Sequence, residues 1–429
     1  MARMFSDDQL KDIAEPPAEK ALRALAAGDT VRMTGLLWEM ASGPAGVEGL
    51  TLHVLSRFVG EFRKDFGEEG ARVLLDRIGA QMMRSFATDY LAGIERQVIA
   101  DLVSVFKHQG GGNLVPVVET DEEVVFDLAP CGSGGRFVLD GTAEKLPEWY
   151  GPWSDGVTSY CQACKACQRG LNEATGEQTW TTEIHGNTPG RCTLRFRKRQ
   201  TRGTRLFPGS EIYSVTRTRI QLALEKVARH DYKITDLVRD QHRDWLPWHD
   251  FAISLAAHVF GICEVERGSA YLAEKLKRAY NSTFSLFYPV FLRLGDEQHL
   301  RYLCKAHHYH MMSFTLTEED ERFVFRLDPC GSGGRLFRGQ MWRNLFEYGG
   351  PLSPRISKPS NITFNRSNFP VYCTHCASHN QDEFVNDVLY FVNDGHAQMH
   401  PGMPCLQFTY KKGVHVDRVD RILLKQVGM

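Results

Sequence analysis

Two sets of sulfur and nitrogen donors recur at matching places along the chain. Cys131, Cys161, Cys164 and Cys167 form the first; Cys330, Cys373, Cys376 and His379 form the second. Cys131 and Cys330 stand in the same run, Pro-Cys-Gly-Ser-Gly-Gly-Arg, and the other donors follow a tyrosine, Tyr160 or Tyr372. A C-x2-C pair in a short turn sets both sulfurs to one side, a third donor three residues on can join them, and the fourth comes from a distant loop. Such a set suits zinc, which binds S and N ligands tetrahedrally and accommodates a histidine in place of a cysteine. The expectation is two Zn2+ sites; the alternative is a [4Fe-4S] cluster, for which C-x2-C-x2-C with a remote cysteine is also suited. The glycines beside Cys131 and Cys330 can take positive φ and turn N–H groups onto a thiolate. Four protein ligands close a zinc site and make it structural, whereas three and a water make it catalytic. Cys192 and Cys405, each opening a closing strand, read as core residues, as do Cys263 and Cys304.

Acid–base chemistry points to the second half, which holds histidines that the first half lacks. Trp248-His249-Asp250 falls on an expected helix, and His307-His308-Tyr309-His310 precedes an expected strand. His249, Asp250, His307 and His310 are candidates for a general base or for a nitrogen- and oxygen-ligated metal. The adjacent His249 and Asp250 would diverge around a helix by about 100° and serve different partners. Arg136 and Arg335, just after the glycines, could hold a substrate carboxylate bidentately. The GSGG runs are not phosphate loops of the Walker type, because no Lys-Ser/Thr follows.

The elements that would position these groups are also written twice. The matched motifs divide the chain into a first repeat, residues 1–203, and a second, residues 204–429, with a seam at Gln200–Gly209 where apolar periodicity stops. A period of roughly 200 residues seen twice means paired domains and excludes a solenoid. Each half opens with helical spacing, over 68–86, 89–108, 270–279 and 297–304. It then changes to period two over 118–128 and 314–327, and closes in strand-like runs. The closing runs are 178–184 with 192–199, and 383–392 with 405–412. Helices segregated from strands predict an α+β class: a helical segment followed by a small antiparallel sheet with a thiolate metal knuckle, built twice.

Composition bounds the partners. The 429 residues are 42% apolar, enough for a core in each half. Lys and Arg number 51 against 52 Asp and Glu, so no net field favours nucleic acid or an anionic membrane. The one basic cluster, Arg195, Arg197, Lys198, Arg199, Arg202 and Arg205, reads as a solvated linker, with an RNA or anion patch as the alternative. No apolar run approaches the ~18 residues of a membrane span, and Met1 to Glu15 is too polar for a signal peptide. Clustered cysteines without an export signal favour thiolate ligation in the cytoplasm over disulfides. The expected partner is a small-molecule substrate; nothing in the sequence indicates the oligomeric state.

The end of each half, Thr-Glu-Ile-x5-Gly-Arg-Cys-x-Leu-Arg-Phe and Met-Pro-Cys-x-Gln-Phe-Thr-Tyr-Lys, resembles the bacterial L-2-amino-thiazoline-4-carboxylate hydrolase and vinyl-reductase-like family. That resemblance implies helices before a small sheet, and a small-molecule hydrolase activity. The glycine loop and the long helical openings depart from that family. The functional expectation is a metal-binding, duplicated hydrolase or lyase acting on a small polar molecule. Alternatives are an iron–sulfur redox protein and a non-catalytic, zinc-stabilised binding or sensor module.

Overall fold

The computed structural model describes residues 3–108, 114–185, 188, 190–343, 354–395 and 403–429. It mixes helices with small antiparallel sheets, in the α+β class. Strands β1 (Leu114–Glu119), β2 (Glu123–Leu128), β3 (Trp180–Ile184) and β4 (Cys192–Arg197) form one sheet in the order β1-β2-β4-β3. Strands β5 (Phe314–Glu318) and β6 (Arg322–Leu327) pair as a hairpin; after the short pair β7 (Arg355–Ile356) and β8 (Phe369–Pro370) come β9 (Val392–Asn393) and β10 (Cys405–Tyr410). The second four-stranded sheet runs β5-β6-β10-β9, the same order, with every pairing antiparallel. In the first sheet Phe126, Leu194 and Phe196 are buried. Trp180 stacks on Phe196 at 6.1 Å and takes Phe106 edge-on at 5.4 Å.

Spatial packing divides the chain differently from the sequence repeats. One compact unit is Met1–Pro17, Ala256–Met341 and Glu347–Met429; the other is Ala18–Leu255 with Trp342–Phe346. The seam expected at 203/204 therefore lies inside a unit. The reason is visible in each sheet. Glu119, at the end of β1, accepts the backbone N–H groups of Leu206 (2.5 Å) and Phe207 (3.1 Å) and pairs with the buried Lys198 ammonium at 2.7 Å. Glu318, at the end of β5, likewise accepts from Met4 (2.6 Å) and Phe5 (2.9 Å) and pairs with the buried Lys411 at 2.5 Å. Phe5, Leu10 and Ile13 then enter the core formed by Leu300, Phe323 and Phe325. Lys198, placed by sequence in a solvated basic cluster, is instead fully buried, and it also donates to the carbonyls of Thr120 and Thr204 at 2.7 Å each. Arg195 pairs with Glu123 at 3.0 Å and Arg199 with Glu177 at 3.4 Å, so carboxylates answer much of that cluster.

The helix Ser159–Thr175 is held tightly from one side. The element Pro44–Leu91 leaves helical geometry at Gly67 (φ 69°), and its second segment crosses Ser159–Thr175 at Gly79 and Gly170. A Cβ on Gly79 would lie 2.2 Å from the Ala166 carbonyl oxygen, and one on Gly170 2.5 Å from the Gly79 carbonyl carbon. Backbones approach this closely only where both residues lack a side chain. One expected strand is wrong: most of 383–392 belongs to, or follows, the helix Thr374–Asn386, and only Val392–Asn393 pairs. The apolar run EFVNDVLYFV has strand-like composition, but Glu383 extends the helix by meeting His379 one turn earlier at 3.2 Å.

Candidate metal centres

Both Pro-Cys-Gly-Ser-Gly-Gly loops leave the inner strand of a sheet and run into a short helix, Gly134–Leu139 or Gly333–Phe337. The Cys131 N–H donates to the Gly190 carbonyl at 2.6 Å, which fastens the loop to the chain two residues before Cys192. Strand register places Leu128 opposite Cys192 and Leu327 opposite Cys405, so Cys131 and Cys330 each follow the partner of a closing-strand cysteine by three residues. The Cys131 thiol lies 3.2 Å from the Ser133 hydroxyl, faces the Ser133 and Gly135 N–H groups, and has Cys192 as an electrostatic neighbour. The Cys192 thiol, then these donors, outweigh burial and lower the Cys131 pKa; the Cys131 neighbour, with burial, raises that of Cys192. In the second loop Cys330 Sγ is 3.6 Å from the Ser332 hydroxyl.

The loop glycines act by absence of bulk. Positive φ was expected of them, but none of the glycines in either run has it. A Cβ on Gly134 would stand 2.1 Å from Cys161 Sγ, and one on Gly333 2.6 Å from Cys373 Sγ. Only glycine lets each loop lie against a thiol of the following helix.

The C-x2-C pairs lie at helix starts, where the sequence suggested a turn. Cys161 and Cys164 occupy the first turns of Ser159–Thr175, a stretch of good helix formers such as Gln, Ala and Lys. The Thr158 hydroxyl, at the N-cap, donates to Cys161 Sγ at 3.2 Å and accepts no capping N–H from the first turn. Burial and the neighbouring Cys131 charge push the Cys161 thiol up to about 12; burial and the charges of Cys161, Cys167 and Cys131 push Cys164 up. Cys376, in Thr374–Asn386, is pushed up by burial, then by Cys373, Cys330 and Asp394. These effects bring Cys131, Cys161 and Cys164, with Cys167 beside Cys164, within electrostatic reach in the first set, and Cys330, Cys373 and Cys376 in the second.

The fourth expected donors are placed differently. Along a helix, a residue six positions on is turned by about 120° and risen by about 9 Å. Cys167, turned from Cys161 but three residues from Cys164, lines with Cys164 a small apolar cavity that also includes Leu102, Phe106, Trp180, Phe251 and Leu255. His379 is buried, with Nε2 3.2 Å from Glu383 and its ring 4.6 Å from Phe284. The histidine beside a thiol is His375, whose Nε2 is 3.5 Å from Cys376 Sγ; its Nδ1 lies 2.5 Å from the Tyr372 carbonyl. Cys405 Sγ is 3.7 Å from Asp394, a buried carboxylate that the sequence reading passed over. Among the described residues no group of three or more Cys, His, Asp or Glu side chains is set as the ligands of a metal ion.

The candidate bases are structural neighbours of other groups. His249 and Asp250 do not serve different partners as expected: His249 Nδ1 is 2.8 Å from Asp250 Oδ1, both 1% exposed. Nδ1 sits next to the ring's attachment point, so a short carboxylate on the next residue reaches it despite the helical turn. The other Asp250 oxygen accepts the Trp342 N–H at 2.5 Å. His307 is buried against Phe314, Phe325 and Phe391, and burial lowers its pKa to about 3. His310 caps the helix Asp296–Tyr309 and is half-buried. His249 and Asp250 belong to one compact unit, His307 and His310 to the other. Arg136 is largely exposed, 4.0 Å from Asp140, whereas Arg335 is buried and donates to the Gln340 carbonyl at 2.5 Å. No helix is long and apolar enough to cross a membrane, among the described residues.

No protein-family model matches the chain, and neither a curated protein nor a solved structure matches it.

Proposed function

We propose that the chain is a tandem duplication whose halves each carry a thiolate-bound metal centre, zinc being the ion the donors suit, with the metal acting as a structural fastener. The observation that carries this reading is the repeated meeting of a Pro-Cys-Gly-Ser-Gly-Gly loop with a C-x2-C helix start: Cys131 with Cys161 and Cys164, Cys330 with Cys373 and Cys376. The donor chemistry fits a divalent cation such as zinc, since burial, and then neighbouring thiol charge, pushes the Cys161, Cys164 and Cys376 thiols up, and a cation offsets both. The cradle fits as well, because Gly134 and Gly333 leave room for a sulfur where any Cβ would fill it. Bound zinc supplies no redox chemistry; it would neutralise the thiolates and tie loop to helix, coupling metal binding to folding.

Among the sequence alternatives, this favours a zinc-stabilised binding or sensor module. The hydrolase or lyase reading, with the thiazoline-carboxylate hydrolase resemblance, asks for a pocket with an accessible base. His249, Asp250 and His307 are each buried and engaged with neighbouring side chains or rings. Metal analysis with an absorption spectrum tests the proposal. A colourless protein with about one zinc per half supports it, brown protein absorbing near ~400 nm replaces zinc by an iron–sulfur cluster, and a metal-free, fully folded chain overturns it.

A further inference from the structure

We infer that Cys192 and Cys405, the first residues of the closing strands, are the fourth donors of the two centres, in place of Cys167 and His379. The inference rests on the metal-binding reading above and assigns its ligands. Three independent observations carry it. Strand register is the first: Cys192 and Cys405 sit opposite Leu128 and Leu327, equivalent points of two sheets, and the loop cysteine follows each by three residues. Backbone fastening is the second. The Cys131 N–H bond to the Gly190 carbonyl holds the loop beside the start of β4, two residues before Cys192. The third is the placement of the rival. In the first half, helical geometry turns Cys167 about 120° from Cys161, and its side chain lines an apolar cavity with Leu102, Phe106, Trp180 and its helix neighbour Cys164.

In the second centre, Cys405 lies near Asp394, whose charge also reaches Cys376, so thiols from strand and helix face one acidic group. Both centres then become four-sulfur sites, Cys131/Cys161/Cys164/Cys192 and Cys330/Cys373/Cys376/Cys405. The Cys-to-His difference between the copies ceases to be a ligand exchange. Each centre would join three elements: the loop, the helix and the closing strand.

The test uses the full chain loaded with Zn2+ and, in parallel, with Co2+. Wild-type protein should hold one metal per half, and Cys167→Ser and His379→Ala should keep the full content. Cys192→Ser and Cys405→Ser should each lose one equivalent. Cobalt spectra give a readout that does not depend on a damaged variant: sulfur-to-cobalt charge transfer should be as intense per ion in His379→Ala as in wild type. Loss of metal in Cys167→Ser or His379→Ala, or full metal content in both strand variants, overturns the assignment while leaving the metal reading intact. A wild-type chain that binds neither ion overturns both together. Far-UV circular dichroism on each variant separates ligand loss from global unfolding, and if the strand variants unfold, the spectra of Cys167→Ser and His379→Ala alone decide between the two ligand sets.

Discussion

Replacing Glu119 by Gln should be among the most destabilising single changes in the first sheet. Its carboxylate is 1% exposed, faces a Lys198 ammonium that is fully buried at 2.7 Å, and accepts two backbone N–H groups from Leu206 and Phe207. Glutamine keeps one carbonyl for those donors but removes the charge. Lys198 would keep only the carbonyls of Thr120 and Thr204. Breaking a buried pair while leaving one partner charged costs about 3–5 kcal/mol, and one backbone donor left unpaired adds about 1–3 kcal/mol. Non-additivity within so small a group keeps the expected total near about 4 kcal/mol. The double change Glu119→Gln with Lys198→Met removes the stranded charge and should recover most of the loss. The pH dependence has a definite sign. Hydrogen bonds from Lys198, Leu206 and Phe207 outweigh burial and hold the Glu119 pKa below its ordinary value. Its stabilisation is therefore present above about pH 4.3 and is lost as pH falls through the depressed folded value. Urea denaturation followed by tryptophan fluorescence and circular dichroism, for wild type, single and double variants, measures these terms. A single variant within ~0.5 kcal/mol of wild type would refute the reasoning.

Gly134→Ala sets a Cβ 2.1 Å from Cys161 Sγ, so it should displace that thiol, cost about 1–3 kcal/mol by overpacking and lower metal content in the first half; thermal melts with metal analysis check both. Gly79→Ala, although favourable for helix propensity, should destabilise by at least about 2 kcal/mol, because its obstacle at 2.2 Å is backbone; a denaturant midpoint no lower than wild type would count against the crossing described. His307, with a folded pKa near 3 against an unfolded value near 6.5, contributes stability at neutral pH that is lost as pH falls from about 6.5 towards 3. His307→Leu should flatten that stretch of the stability–pH curve, and the wild-type imidazole should not titrate by NMR above pH ~4; a midpoint near 6.5 would contradict its burial.

Much of the fold could be read from periodicity, because it is local. Trp180–Ile184, Cys192–Arg197, Glu123–Leu128 and the second hairpin fall within the runs expected to be strands, the first strand Leu114–Glu119 begins four residues before its expected run, and the Asp296–Tyr309 helix covers the expected 297–304. Reading failed where a distant contact decides. The helix Thr374–Asn386 continues through strand-like residues because His379 and Glu383 meet along it. The C-x2-C spacing served equally for a turn or a helix start, and as a helix it turns Cys167 from Cys161 while leaving it beside Cys164. The nearness of Cys192 to Cys131 comes from register between β2 and β4, which no spacing rule encodes. Asp394 and His375 gave no motif at all.

The exchange of opening segments has a consequence for how the chain can be cut and rejoined. Phe207 and its neighbours close the sheet made by residues 114–197, and Phe5 with its neighbours closes the one made by 314–410. Scission between residues 203 and 204, the seam expected from the sequence, would hand each fragment the other's closing strip and leave both carboxylates, Glu119 and Glu318, facing solvent in place of backbone donors. Under the duplication proposed above, a single ancestral copy had two ways to satisfy the same carboxylate: to fold its opening back on its own sheet, or to trade it with a second chain as swapped dimers do. Fusion of two copies turns that trade into an internal one, fixed at one-to-one stoichiometry and independent of protein concentration.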